Sequence, residues 1–365
     1  MEWSSQQDSA MVQVAKWLKG GREQIFRIFG YAGTGKTTIA QELAKNVSGT
    51  VLFAAFTGKA AMVMQSKGCW GASTIHSLIY KIVQKPNGKV KFVIDLDSPL
   101  IDASLLVVDE CSMVDEDLAH DILRFGTKVL VLGDPAQLPP VKGTGFFTEA
   151  KPNIMLTEVH RQAKENPIIR MSMIVREGGY LNFGSYGTSS VIRKGELQQD
   201  RVMKADQVLV GMNKTRRIYN GRMRTLNGFR DPLPVEGDRL VCLRNNQSKG
   251  IFNGGTWSVD KIIRKRPDTI QMLLSSMDSG VSRHSVDVSV HPYFFFGMEN
   301  ELEWQERRGS DEFDYGYALT VHKSQGSQWG SVILFDESAA FREDRDKWLY
   351  TGITRAADSV LVVRD

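Results

Sequence analysis

The chain has 365 residues, 42% of them hydrophobic and 24% charged, which is enough apolar side chain to fill about two domain cores and too much for wholesale disorder. No run approaches the roughly 18 to 20 apolar residues of a membrane-spanning helix, and the opening MEWSSQQDSA lacks the basic-then-apolar order of a signal peptide, so a cytoplasmic protein without a membrane partner is expected. Three cysteines with no Cys-x-x-Cys pair predict buried thiols and no disulfide framework or structural metal, while the net charge of +4 excludes little.

In chain order, the first strong element is the apolar run 25–29, followed by GYAGTGKT at residues 30–37 and a helical stripe of Ile39, Leu43 and Val47. A G-x-x-x-x-G-K-[ST] loop between a strand and a helix wraps phosphate with backbone N–H groups at a helix N-terminus. Gly33, Thr34, Gly35, Lys36, Thr37 and Thr38 are therefore the expected nucleotide-binding residues, with Lys36 on the β- and γ-phosphates and the Thr37 hydroxyl on Mg2+. The run 51–56 predicts a second buried strand. Beyond it, Asn87-Gly88 lies between apolar and basic residues in a stretch from 79 to about 98, the pattern of a β-hairpin carrying Lys81, Lys85, Lys89, Lys91 and Phe92.

LLVVDE, residues 105–110, reads as a buried strand that ends in two carboxylates. Asp109 is suited to hold Mg2+ and Glu110 to polarise the water that attacks the γ-phosphate. VLVLGDPAQLPPV, residues 129–141, delivers Gly133, Asp134 and Gln137 to the same sheet edge, with Gln137 placed to sense the γ-phosphate. Residues 201–230 then carry Arg201, Lys204, Lys214, Arg216, Arg217, Arg222, Arg224 and Arg230 against Asp206 alone, a surplus that would raise the potential where a phosphate backbone lies. From about 237 to 297, β-type residues alternate with Gly, Asn and Asp turns, which predicts a small all-β insertion, a barrel. Apolar runs at 208–210, 332–335 and 360–363 complete a mainly α/β chain with parallel sheets.

These segments, in this order, resemble the motifs of superfamily 1 helicases. The set comprises SSQQ, GYAGTGKTT, AAFTGKAA, ASTIHSLI, VVDECSM, GDPAQLPPV, LTEVHRQ, HKSQGSQW and LYTGITRA, spanning residues 7 to 355. ASTIH, HKSQG and the GDRLVCLRNN…FNGGTW stretch are similar to the RecD-like, phage Dda-like B branch. The resemblance implies two RecA-like P-loop NTPase cores, at 1–155 with the hairpin at about 79–98, and at 156–365 with an SH3-like β insertion at about 232–312. It implies that Gln7 reads adenine, and that Arg161 and Arg355 reach the γ-phosphate beside the catalytic Lys36, Asp109, Glu110 and Gln137. It also implies a single-stranded DNA track of Thr57, Lys59, Ser73, Thr74, His76, Phe92, Asn213, His322, Lys323 and Ser324. For base stacking, Phe56, Phe92, Trp70 and Phe294 to Phe296 are all available.

The implied activity is a monomeric ATP-dependent DNA helicase that moves 5′-to-3′, with an RNA helicase or remodelling ATPase of the same superfamily as the alternative. Its cofactors are ATP and Mg2+. Its partners are single-stranded DNA and single-strand/duplex junctions, leaving room for a single-stranded-DNA-binding protein or replisome component.

Overall fold

A computed structural model describes residues 3–84, 90–140, 145–158, 165–278 and 285–365. Asn87, Gly88, Lys85, Lys89, His160, Arg161 and His284 lie outside the described residues. The chain divides into two compact units, Met1–Leu181 with Glu343–Thr354, and Asn182–Arg342 with Arg355–Asp365.

The first unit is built on six parallel strands in the order β3-β2-β6-β7-β1-β8: β1 Ile25–Gly30, β2 Val51–Ala55, β3 Ser73–Thr74, β6 Leu105–Asp109, β7 Val129–Gly133 and β8 Ile154–Leu156. Every residue of β7 and the first four of β6 are buried, as expected of strands covered on both faces, and that is why those runs read as continuously apolar. Helices Ser5–Gly20 and Lys36–Lys45 cover one face through Ala10, Val14, Trp17, Ile39 and Leu43. Helix Glu116–Leu123 covers the other through Leu118, Ala119 and Ile122. The expected hairpin is present as β4 Tyr80–Gln84 paired antiparallel with β5 Val90–Ile94.

Helix Pro167–Arg176 packs in the first unit against helix Arg345–Ile353, which carries the first five residues of the LYTGITRA segment. Both helices bury apolar residues, Ile168, Met171 and Val175 on one and Trp348, Leu349 and Ile353 on the other. Hydrophobic burial of this kind decides membership of a unit more strongly than position along the chain.

The second unit holds another six-stranded sheet, in the order β17-β11-β18-β19-β10-β9: β9 Gly184–Tyr186, β10 Ser189–Arg193, β11 Gln207–Val210, β17 Ala318–Thr320, β18 Trp329–Phe335 and β19 Ala356–Arg364. All its pairings are parallel except β9 with β10. The predicted all-β insertion is a five-stranded antiparallel sheet ordered β15-β14-β13-β12-β16: β12 Arg239–Cys242, β13 Thr256–Lys265, β14 Ile270–Ser276, β15 Ser285–Val290 and β16 Phe313–Tyr315.

Helix Asn213–Leu226 anchors that insertion. Arg224 donates two hydrogen bonds to the buried Asp238, both 2.9 Å, and two more to the carbonyls of Asp231 and Leu233. Arg216 is likewise buried, 2.7 Å from Asp314. The basic surplus in this stretch is thus partly structural: two of its cations are neutralised inside the fold and add little field outside. Cys69, Cys111 and Cys242 are all buried and free.

Candidate nucleotide site and nucleic-acid track

β1, β6 and β7 run parallel, so their carboxyl ends fall on one edge of the first sheet. The loop after β1 needs glycine where it turns: Gly33 and Gly35 have φ of 78° and 79°, and a Cβ on Gly30 would come within 2.5 Å of Thr34 Oγ1. Lys36 folds back along this loop, its Nζ donating to the carbonyls of Gly30 (2.6 Å) and Tyr31 (3.0 Å). Thr37, on the first turn of helix Lys36–Lys45, donates through Oγ1 to Asp109 Oδ2 at 3.1 Å. The phosphate loop and the end of β6 are thereby brought together as the sequence predicted.

Past Asp109 the chain turns sharply. Asp109 Oδ1 accepts the Glu110 N–H at 2.8 Å, and Glu110 itself sits at φ 52°, ψ 44°, a left-handed conformation that strains a residue with a Cβ by about 1–2 kcal/mol. This kink redirects the chain at Glu110, the carboxylate expected to polarise the attacking water. Behind it, burial and then the charges of Asp109 and Glu110 push the Cys111 thiol well above its ordinary range. Gln137, after β7, is buried, and its Oε1 accepts no hydrogen bond within the described residues.

Gln7, the residue expected to read adenine, lies against the same loop. Its Nε2 donates to Thr34 O at 3.1 Å, while its Oε1 accepts the Ser4 N–H at 3.0 Å in a capping box that starts helix Ser5–Gly20. One end of the amide ties that helix to the phosphate loop and the other caps the helix itself.

Sequence reasoning gave no role to Tyr31 or Tyr350, and both touch this loop. The Arg176 guanidinium stacks 3.7 Å from the Tyr31 ring centroid. The Tyr350 hydroxyl, on helix Arg345–Ile353, donates to Asp134 Oδ2 at 2.7 Å and accepts the Ala32 N–H at 2.9 Å. The available signal was a tyrosine inside a motif chosen for its arginine. Arg355 belongs to the second unit, where it is buried and donates to Ser327 O at 3.3 Å.

Among the nucleic-acid candidates of the first unit, Thr57 and Thr74 are N-caps. Thr57 Oγ1 accepts the Ala60 N–H at 3.1 Å and Thr74 Oγ1 accepts the Ser77 N–H at 3.2 Å, while Ser73 is half-buried and Lys59 is buried. His76 is exposed at its edge and lies between Phe56 and Tyr80, with ring centroids 5.8 and 5.7 Å away; those neighbours desolvate the imidazole and hold its pKa below the ordinary value. Tyr80 continues the row to Phe92 at 6.2 Å, and Phe92 stands exposed on the hairpin. Trp70 is 84% exposed, whereas Phe294 and Phe295 are core residues.

In the second unit, Asn213 and Lys323 line one pocket of about 420 Å³ together with Lys214, Arg216, Arg217, Ile218 and Glu299. Desolvation, then the charge of Arg216, lowers the pKa of the Lys323 ammonium. His322 stacks on Phe341 at 5.3 Å. Ser324 is the exception: fully buried, it donates its hydroxyl to Val321 O at 2.8 Å, so the side chain serves the turn and is not displayed at the surface.

The chain matches the AAA domain family over residues 2–197 and the UvrD-like helicase C-terminal domain over 315–363. It is 30% identical to the ATP-dependent RecD2 DNA helicase of Deinococcus radiodurans across 90% of its own length, and spans 45% of that relative. Its fold is similar to crystal structures of Pif1 helicase from Candida albicans (TM-score 0.59, 18% identity, 100% of this chain and 94% of that one) and from Bacteroides in complex with ADP-AlF3 and ssDNA (0.58, 17%, 99% and 92%).

Proposed function

The chain belongs to the AAA domain family and to the RecD-like, Pif1-like B branch of superfamily 1 helicases, and from there we propose that it is an ATP-dependent DNA helicase. The observation that carries the reading is the Thr37–Asp109 hydrogen bond, which joins the phosphate loop to a carboxylate at one sheet edge. The RecD2 relative is named as a DNA helicase, and the Bacteroides Pif1 structure holds an ADP-AlF3 complex and single-stranded DNA.

In this reading Lys36 leaves its carbonyl partners for the β- and γ-phosphates, exchanging two neutral acceptors for charged ones. Thr37 and Asp109 supply hard oxygen donors 3.1 Å apart, a set that fits magnesium. When bound, the ion would neutralise charge on the phosphate oxygens. Glu110 orients the attacking water and Gln137 responds to the γ-phosphate. Arg161 and Arg355 are assigned to transition-state charge by their motif positions.

Thr57, Lys59, Ser73, Thr74, His76 and Phe92 of the first unit, with Asn213, His322 and Lys323 of the second, form the proposed DNA track. Ser324 acts there through its turn. Grip that alternates between the two units turns each hydrolysis into a step, with 5′-to-3′ polarity, and Phe92 on the hairpin separates the strands at a junction. A single-stranded-DNA-binding protein or replisome component is the proposed protein partner, and a monomer the proposed working form.

The test is ATP- and Mg2+-dependent unwinding of matched duplexes that carry either a 5′ or a 3′ single-stranded tail. Opening of the 5′-tailed duplex alone is expected; opening of neither, or of the 3′-tailed one alone, contradicts the reading.

A further inference from the structure

The loop at residues 30–37 is held at several points by the chain itself. Lys36 holds the Gly30 and Tyr31 carbonyls, Arg176 stacks on the Tyr31 ring, and Gln7 holds the Thr34 carbonyl. One further tie leads away from the loop. Tyr350, 1% exposed, accepts the Ala32 N–H and donates to Asp134, whose other carboxylate oxygen accepts the Ala136 N–H at 3.0 Å.

A phenol hydroxyl can donate once and accept at the same time, so this single atom completes a bridge from the phosphate loop to the turn that carries Gln137. Next to it, Thr351 Oγ1 accepts the Leu138 N–H at 3.0 Å, so the same helix turn holds the far end of that segment. Every group in the bridge is buried or partly buried, where an unmatched donor or acceptor is costly. Burial of the ring, and then the Asp134 carboxylate, raise the phenol pKa, which keeps the hydroxyl a donor at neutral pH.

We propose that Tyr350 is a positioning residue of the nucleotide site: its hydroxyl makes the phosphate loop and the 133–138 turn one body, set in advance for ATP. Tyr350 touches no reacting atom in this assignment. It acts through Ala32 on the loop and through Asp134 on the turn. A Tyr350→Phe ring keeps the packing and leaves the Ala32 N–H and Asp134 Oδ2 without their shared partner, so the loop must be ordered at the moment of binding. The assignment rests on the ATPase reading above.

The experiment is steady-state ATP hydrolysis by the full chain on saturating single-stranded DNA, for the unsubstituted protein, Tyr350→Phe, Asp134→Asn, the double variant and Thr351→Val, each with a thermal melt. Loss of one or two buried hydrogen bonds from a preorganised site predicts a KM for ATP raised about fivefold to tenfold in Tyr350→Phe. A similar rise is expected in Asp134→Asn, with no further rise in the double variant, because both break the same bridge. Thr351→Val, which removes an acceptor from Leu138 but leaves the Tyr350 bridge intact, is expected to lower the melting point without moving KM.

A folded Tyr350→Phe with unchanged KM overturns the proposal, as does a double variant whose KM rise is the product of the two singles. If Tyr350→Phe does not fold, Asp134→Asn decides: an unchanged KM overturns the bridge and a raised KM supports it. Absence of hydrolysis by the unsubstituted chain overturns the ATPase reading and this assignment together, whereas normal kinetics there with an unmoved KM in the variants overturns this assignment alone.

Discussion

The two six-stranded sheets make the same architectural offer, a parallel edge followed by a helix, and settle it in opposite ways. In the first unit, helix Lys36–Lys45 starts after β1 with no side-chain cap on its leading N–H groups. In the second, the chain leaves β11 for helix Asn213–Leu226, and there Glu337 closes the edge: its carboxylate accepts the N–H of Gly211 at 2.6 Å, the N–H of Met212 at 3.0 Å and the Thr215 hydroxyl at 2.6 Å. A helix start is a natural anion site. One unit fills it with its own glutamate, and the other pairs it with a glycine loop and a lysine. What separates the two edges is the set of donors the chain's own carboxylate takes: Glu337 accepts two backbone N–H groups and a hydroxyl, whereas Asp109 accepts from the start of helix Lys36–Lys45 only the Thr37 hydroxyl, the pair assigned to the metal.

The strongest way to break that contrast is at Lys36. Lys36→Ala removes the one cation of the loop and is expected to lower ATP turnover by about 10²–10³-fold, as loss of a preorganised charge stabiliser does. DNA affinity measured by fluorescence anisotropy should stay close to that of the unsubstituted chain, since the proposed strand contacts lie elsewhere. Retained DNA-stimulated turnover in the variant would mean that the loop is not the working site.

At the other edge, Glu337→Ala leaves two backbone donors and a hydroxyl without their charged acceptor and is expected to destabilise the chain by about 2 kcal/mol in urea unfolding. It should not create a second nucleotide site. Two nucleotides bound per chain in equilibrium titration would show that the carboxylate alone had been blocking one.

A smaller steric effect sharpens the first edge. A Cβ on Gly133 would lie 2.7 Å from Cys111 Sγ and 3.2 Å from the Phe29 ring, so Gly133→Ala is expected to destabilise by about 1–3 kcal/mol. Adding Cys111→Ala should recover part of that loss; no recovery would place the strain on Phe29 instead.

The smallest expected change is at Lys323. If its ammonium meets one phosphate, Lys323→Ala reduces the slope of log affinity against log salt by about 0.7 for a single strand. An unchanged slope would remove Lys323 from the track.

Much of this was readable in the sequence where chemistry and periodicity coincide. The runs that became β6, β7 and β11, with the apolar stretches 332–335 of β18 and 360–363 of β19, are buried residue after residue, and burial on both faces is what writes a continuous apolar run. GYAGTGKT and LLVVDE were legible because their geometry demands particular residues, glycine at positive φ and carboxylates at a strand end. The short strands β8, β9 and β17 carry no such pattern and depend on neighbours for their identity. The same holds for the charged helix: Arg216 and Arg224 look like their exposed neighbours in sequence, and only the fold brings Asp314 and Asp238 to them. Tyr350 was hidden because a single hydroxyl that makes two bonds has no local signature.

The buried cysteines have a practical consequence. Burial pushes the Cys69 thiol up to about 11 and Cys111 and Cys242 higher still, so at neutral pH almost none of the native sulfur is in the nucleophilic thiolate form. A maleimide dye offered to the folded chain should therefore find only a cysteine newly installed on its surface. That makes this molecule ready for single-site fluorescent labelling with its own thiols left in place.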